Sequence, residues 1–375
     1  MCSSKVVVCG GGICGVATSY FLAKRGVSTI LVDPVGVASA ASGRAGGFLA
    51  LDWNDGSPTG TLARRSFALH EELAQSFGEA SVDYRRLTCE AVAVSGGGGL
   101  RQRKVAGVQW ADLGVTGAPR SMGDESTIAQ VHPKKLVDRL WSEAQRLAGS
   151  SFRLGSVVGV LTEGEGGAVS GVRLSDGQEL SAASVLLATG PWSPAWLGLP
   201  RASGVKYHSI LMRPSRTLSQ AVFFQGRGDA EVYPRPDGSV YVTGFPDPMA
   251  PVCEAPGEVE VRREVTRRLA STMGEVSTEL AQAPVELESA CHLPFAPDGL
   301  PMLGAVPGTP GAFVATGGGC WGILMGPAIG LGVAELMLDG EATSVTSAPS
   351  ARRGSRETPR AFASSLSFSF FILCH

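Results

Sequence analysis

Residues 5–33, KVVVCGGGICGVATSYFLAKRGVSTILVD, restrict the fold more tightly than any other stretch. Val6 to Val8 form an unbroken β-branched run, as in a strand covered on both faces. Gly10, Gly12 and Gly15 follow in GxGxxG spacing. Helical periodicity then predicts a helix over 13–24, with Val16, Tyr20 and Ala23 on one stripe and Gly26 ending it. A second strand, STILVD, closes on Asp33, about 20 residues beyond the glycines. Strand, glycine turn, helix, strand and acid in this order form the unit that grips the ADP half of a dinucleotide. A plain glycine C-cap and turn would not explain three glycines and the carboxylate together.

Each residue type has a physical reason. Gly10 permits the turn, Gly12 lets phosphates approach the backbone, and Gly15 lets the helix pack on the strand. The helix start offers N–H groups and a positive dipole end to a pyrophosphate. Asp33 is placed to accept from ribose hydroxyls, and an acid there disfavours the 2′-phosphate of NADP.

The rest of the chain is consistent with a globular protein of two intertwined domains. Its 375 residues exceed the usual single domain, and 32 basic against 34 acidic residues give no basic patch for nucleic acid. Eight cysteines show no CxxC pair, so neither a metal site nor a disulfide framework is expected, and a reducing, cytoplasmic setting fits. The first strand starts too early for a signal peptide, and no apolar run reaches the roughly 18 residues of a membrane span. Helices are predicted near 62–77, 131–147, 259–272 and 326–338, a meander near 156–177, and a hairpin turning at Pro236-Asp237-Gly238.

Two further loops separate FAD from NAD. ASGRAGG (41–47) supplies backbone donors and the Arg44 guanidinium, suited to a pyrophosphate and an isoalloxazine. TGGGCWG (316–322) offers a second helix start that would stabilise charge on a reduced flavin. An NAD-dependent dehydrogenase would need little beyond the first unit.

In CGGGICG, the ASG loop, VHPKKLVDRL, LLATGPW, PDGLPMLG and VATGGGCWGI, the chain resembles the FAD-dependent oxidoreductases of the D-amino-acid oxidase and glycine oxidase superfamily over about 5–340. It is most similar to a eukaryotic branch that shares EVYPRPDG and the CWGI run. The resemblance implies an α/β (α+β overall) architecture, a Rossmann-type FAD-binding domain with an inserted antiparallel-sheet substrate domain. The FAD-binding domain is expected from 1–80, 125–200 and 290–340, the substrate domain from 81–124 and 201–289, and a disordered tail over 341–375.

The same resemblance implies the cofactor contacts. Gly10, Gly12, Ile13 and Cys14 would lie on the pyrophosphate and Asp33 on the adenosine ribose. Ser42, Arg44, Ala45, Gly46 and Gly47 would line the flavin side, and Val157 would hold the adenine. Ala188, Thr189, Gly190 and Trp192 would cap the dinucleotide. Pro301, Gly317, Trp321, Gly322 and Ile323 would meet the isoalloxazine and ribityl end.

Implied, too, is oxidation of a CH–NH or CH–NH₂ group with hydride delivered to FAD and electrons passed to oxygen or another acceptor. Leu293 stands where amino-acid oxidases of this group carry an arginine for the substrate carboxylate, and Gly318 replaces a frequent histidine. The missing arginine leaves open a flavin-binding protein with little turnover, acting in assembly or trafficking. Glu231, Tyr233 and Trp321 are the candidates for a catalytic role, with Glu231 favouring an amine or cationic substrate. Cys291 lies at the spacing of the cysteine that carries the flavin covalently in sarcosine oxidases, although a buried inert thiol is the default. His70, His132, His208 and His292 read as structural histidines.

Overall fold

The valine run sits at the centre of a six-stranded sheet, where Val7 and Val8 are fully buried from both faces. The strand order is Met302–Ala305, Ala312–Thr316, Ser184–Leu187, Val6–Cys9, Thr29–Asp33, Ser151–Leu154, parallel throughout except for the first pair. This is a computed structural model, and it describes residues 5–94, 108–113, 118–164, 166–193, 196–226, 228–248 and 250–346.

Helices Ile13–Lys24, Pro133–Ala148 and Gly322–Asp339 pack as a layer on that sheet. The first and last approach closely because Gly326 and Gly330 have no side chains. A Cβ on Gly326 would stand 2.3 Å from Ile13, and one on Gly330 would stand 2.4 Å from Ala17. By length and composition Gly319–Asp339 could cross a membrane, which the sequence reading did not anticipate. In this fold 61% of its apolar window is buried against neighbouring elements.

That helix starts four residues before the expected 326, and the reason lies at Pro327. Proline lacks the N–H that would bond the Ile323 carbonyl. The next N–H, of Ala328, turns instead to Ser66 Oγ at 3.1 Å. Both orphaned carbonyls, Ile323 and Leu324, accept from Nε2 of buried His70, at 2.9 and 3.2 Å. Ser66 and His70, one turn apart on helix Gly60–Phe77, thus repair the break and let the helix run through it.

The second layer is a seven-stranded sheet in the order Val285–Phe295, Ser203–Met212, Val240–Asp247, Glu231–Pro234, Gln220–Gln225, Thr88–Ala93, Arg120–Gly123. It is antiparallel, as expected, apart from Gln220–Gln225, which pairs parallel with Thr88–Ala93. Strand alternation splits its residues. Val92, Ile210, Met212, Val222, Phe224, Val232 and Val242 form a core with Leu269, Met273 and Val276 of helix Arg263–Val276. The other face carries Phe223, Tyr233 and Tyr241 onto Phe48, Ala50 and Ile128, on the strands Phe48–Ala50 and Ile128–Gln130 of a small separate sheet. The predicted meander is Val157–Thr162, Val169–Leu174 and Glu179–Ser181.

Residues 341–346, assigned to the tail on composition, are ordered. Thr343–Thr346 forms a helical turn, Ser344 N donates to Glu335 at 3.0 Å, and Val345 occupies the space beside Gly332. Residues 347–375 lie outside the described residues.

Burial holds three imidazoles neutral. His70, His132 and His208 are each pushed down from 6.5 to about 4, mainly by loss of solvent. Between these values the unfolded chain takes up protons that the folded chain refuses. Stability is therefore complete above about 6.5 and falls as pH drops toward 4. A Tm that declines on acidification from about pH 7 to about pH 5 is the expected result; a flat Tm would contradict neutral buried imidazoles. His70→Leu, which strands two buried carbonyls, should cost about 1–3 kcal/mol in urea unfolding.

Candidate functional site

A cavity of about 710 Å³ opens at the carboxyl ends of the parallel strands, where the sheet order reverses about Val6–Cys9. Such a switch point is where open α/β sheets take their ligands. Cys9 and Gly10, Val32 and Asp33, Ala188 and Ala315 bring four strand ends to its wall. The Ile13–Lys24 helix points its N-terminus into it, with Gly12 at the N-cap.

Most of the expected cofactor residues converge here. Gly10, Gly12, Ile13, Cys14, Asp33, Ser42, Ala45 and Val157 line the cavity, as do Ala188, Thr189, Gly190, Trp192, Gly317, Gly322 and Ile323. Gly15 lies off the wall, where a Cβ would stand 2.2 Å from the Gly10 carbonyl; its part is packing. Asp33 is on the wall but already engaged. One carboxylate oxygen accepts from Gly11 N at 2.8 Å, the other from Val35 N and Gly36 N at 2.9 Å each. It shapes the phosphate turn besides facing the site.

Arg44, Gly46, Gly47, Pro301 and Trp321 are not among the lining residues. The Arg44 guanidinium donates to the Ala290 carbonyl at 2.6 Å, a tether to strand Val285–Phe295. Its own carbonyl accepts from Tyr241 Oη at 3.0 Å, and Ala45 O accepts from Arg235 at 3.2 Å. Ser42 Oγ accepts from Ile13 N at 2.9 Å, capping the first helix from outside. The 41–47 loop is thus stapled between the two sheets. Gly46 and Gly47 serve that closeness, since Cβ atoms there would stand 2.3 Å from Tyr233 and 1.9 Å from Val131 O.

Beside the cavity stands an aromatic wall. Tyr233 stacks on Tyr241 and Phe48 at 6.0 and 5.2 Å, and Trp53 meets Trp321 edge-on at 6.0 Å. Tyr233 Oη donates a short hydrogen bond to Glu231, whose carboxyl is pushed up to about 7 by burial. Cys320, on the cavity wall, feels the Glu231 charge. Leu293 also lines the cavity, and Arg201, an exposed residue, is the one cationic side chain on its wall among the described residues. Cys291 is buried and off that wall, its thiol pushed up to about 12, as an inert core cysteine would be.

Sequence reasoning missed Arg201, Trp196 and the segment bearing Val252, Cys253, Glu254 and Pro256. Those last residues follow strand Val240–Asp247, and the one signal for them in the sequence is the run of prolines over 246–256.

The donor set fits a dinucleotide: two glycines bare the backbone at a helix start, and at Gly12 a Cβ would meet only Ser42 Oγ, at 3.2 Å. Comparison with known proteins agrees. Residues 5–336 match the family described as FAD dependent oxidoreductase. A Schizosaccharomyces pombe protein named "Putative oxidoreductase C1F5.03c" is 31% identical, over 91% of this chain and 96% of its own length. The glycine oxidase of Pseudomonas putida is 27% identical, over 87% and 92%. Among solved structures, glycine oxidase from Bacillus cereus superposes with a TM-score of 0.75 at 20% identity, covering 90% of this chain and 98% of that one.

Two glycine substitutions should separate fold from ligand. Gly12→Val should leave the far-ultraviolet circular dichroism intact and yield colourless protein without FAD. Gly10→Ala, with φ of +113° and a Cβ 2.2 Å from Ala188 O, should fail to fold. A fully yellow Gly12→Val protein would refute the placement of the pyrophosphate.

Proposed function

The chain belongs to the FAD-dependent oxidoreductase family, and from that premise we propose that it oxidises the CH–NH or CH–NH₂ group of an amine or amino-acid derivative. Bound FAD supplies a two-electron acceptor at N5 for the substrate hydride, with oxygen or another acceptor taking the electrons onward. Gly10, Gly12 and Ile13 would hold its pyrophosphate, and Gly317, Gly322 and Ile323 would flank its ring end.

The protein's own residues set the substrate. The observation that carries the reading is the pairing of Glu231, which lies off the lining but within electrostatic reach of Cys320 on the cavity wall, with Leu293 on that wall where a carboxylate clamp would be needed. A leucine offers no donor, so the reading favours an amine over an ordinary α-amino acid. Glu231, titrating near 7, can take the proton from a substrate ammonium and leave the neutral amine needed for loss of hydride from carbon. Tyr233 orients that carboxylate through its hydroxyl. The substrate carbon leaves as an iminium, which water hydrolyses.

The test is anaerobic mixing of yellow protein with amines, N-methyl amino acids and D-amino acids, read as loss of flavin absorbance. Bleaching by an amine supports the reading. No bleaching across the panel, with dithionite still reducing the flavin, would favour a flavin protein with little turnover. Reduction rates should rise with pH through about 7 as Glu231 ionises, and Glu231→Gln should slow them about 10²-fold and flatten that rise. Leu293→Arg should shift reduction toward amino acids; an unchanged preference in FAD-loaded protein would rule out the missing clamp as the determinant.

A further inference from the structure

A second cavity, of about 390 Å³, lies behind the first on the opposite side of strand Val285–Phe295. Alternation on that strand puts Leu293 on the wall of the cofactor cavity and His292 on the wall of the second. Lys206 pairs with His292 across the strands, and both are buried. Arg262, Asp247, Glu258 and Glu260 complete the polar lining.

The hydrogen bonding here is unfinished. The Lys206 side chain is 8% exposed, yet its one partner among the described residues is Glu260, at 3.4 Å, and Glu260 is itself 73% exposed. A buried ammonium has three donors to satisfy. His292 is 2% exposed and its Nδ1 has no partner among the described residues; the buried Nε of Arg262 lacks one as well. Buried polar atoms without partners are costly, and a cavity that collects several donors calls for a ligand that brings acceptors.

Charge narrows the class. Asp247 is consumed by Arg262 at 2.5 Å. Glu258 and Glu260 are exposed at the rim, where they repel multiply charged anions, while Lys206 and His292 occupy the inner wall. We propose that this second cavity binds a small monocarboxylate, its oxygens taken by the Lys206 ammonium and the His292 imidazole.

The site is coupled by construction to the first. Cys253 lines both cavities. Trp192, on the cofactor wall, donates from Nε1 to the Cys253 carbonyl at 2.8 Å and meets the His292 ring edge-on at 6.5 Å. A carboxylate on Lys206 and His292 therefore fixes the 252–256 segment that closes one side of the cofactor cavity.

Calorimetric titration of the FAD-loaded full chain with acetate tests this, since the cofactor then blocks the other anion site. Saturable binding with Kd on the order of millimolar is expected. Lys206→Met should weaken it about tenfold or more. Glu260→Gln, at an exposed position, should tighten it about threefold by removing the competing carboxylate. Inorganic phosphate should bind more weakly than acetate. Absence of saturable acetate binding, or equal affinity in wild type and Glu260→Gln, would overturn the proposal. Phosphate binding as tightly as acetate would overturn the monocarboxylate class. None of these outcomes depends on whether an amine reduces the flavin, so this proposal and the proposed function can fail separately.

Discussion

The cofactor site depends on how closely the first helix can start behind the first strand. Gly15 makes this possible: any Cβ would collide with the Gly10 carbonyl, and the helix would be displaced from the strand end. With the helix in place, its N-terminus faces the crevice at the centre of the parallel sheet, and Asp33 pins the turn through Gly11 N. The last helix then lies on the first through Gly326 and Gly330, which brings Gly322 and Ile323 to the same cavity. Small residues at a few contacts thus bring together segments from opposite ends of the chain.

Those contacts also explain which parts were readable in the sequence. The first unit is local, so its valine run, three glycines and acid are visible within 29 residues. The type of residue at Arg44 is equally visible, but its partner lies 246 positions away, and only the folded chain shows that the guanidinium ties a loop to a strand. The last helix was expected near 326–338, and Pro327 is a residue that a first turn tolerates. It runs through because His70 and Ser66, more than 250 residues earlier, satisfy what the proline breaks. Local rules failed where a distant side chain completed a backbone hydrogen bond.

A signal for the second cavity was present and went unused. In SGVKYHSILM one set of alternate residues ends in Ile210 and Met212, which are core, but carries Lys206 and His208 before them. A buried strand face that turns from aliphatic to basic along its length marks a change of environment. In the fold that change falls where the core under helix Arg263–Val276 gives way to the polar cavity. The physical rule is that a buried lysine needs compensation, and Glu260, weakly placed and largely in solvent, supplies little of it.

The division of labour between the two sheets bears on specificity. The parallel sheet supplies backbone donors, which serve any substrate equally because they serve the cofactor. Discrimination must come from the second sheet, whose cofactor-facing side carries Tyr233, Tyr241, Glu231 and Leu293. With leucine at 293, the proposed amine would draw its binding energy from aromatic contact and from its ammonium meeting Glu231. An ammonium bound by a carboxylate that titrates near 7 is held in one protonation state and activated in the other, so recognition and proton removal fall to the same residue. On that reading the leucine at 293 does more than relax selectivity, because Glu231 would be the charged group that orients the carbon giving up hydride, while the cation on the wall, Arg201, is exposed.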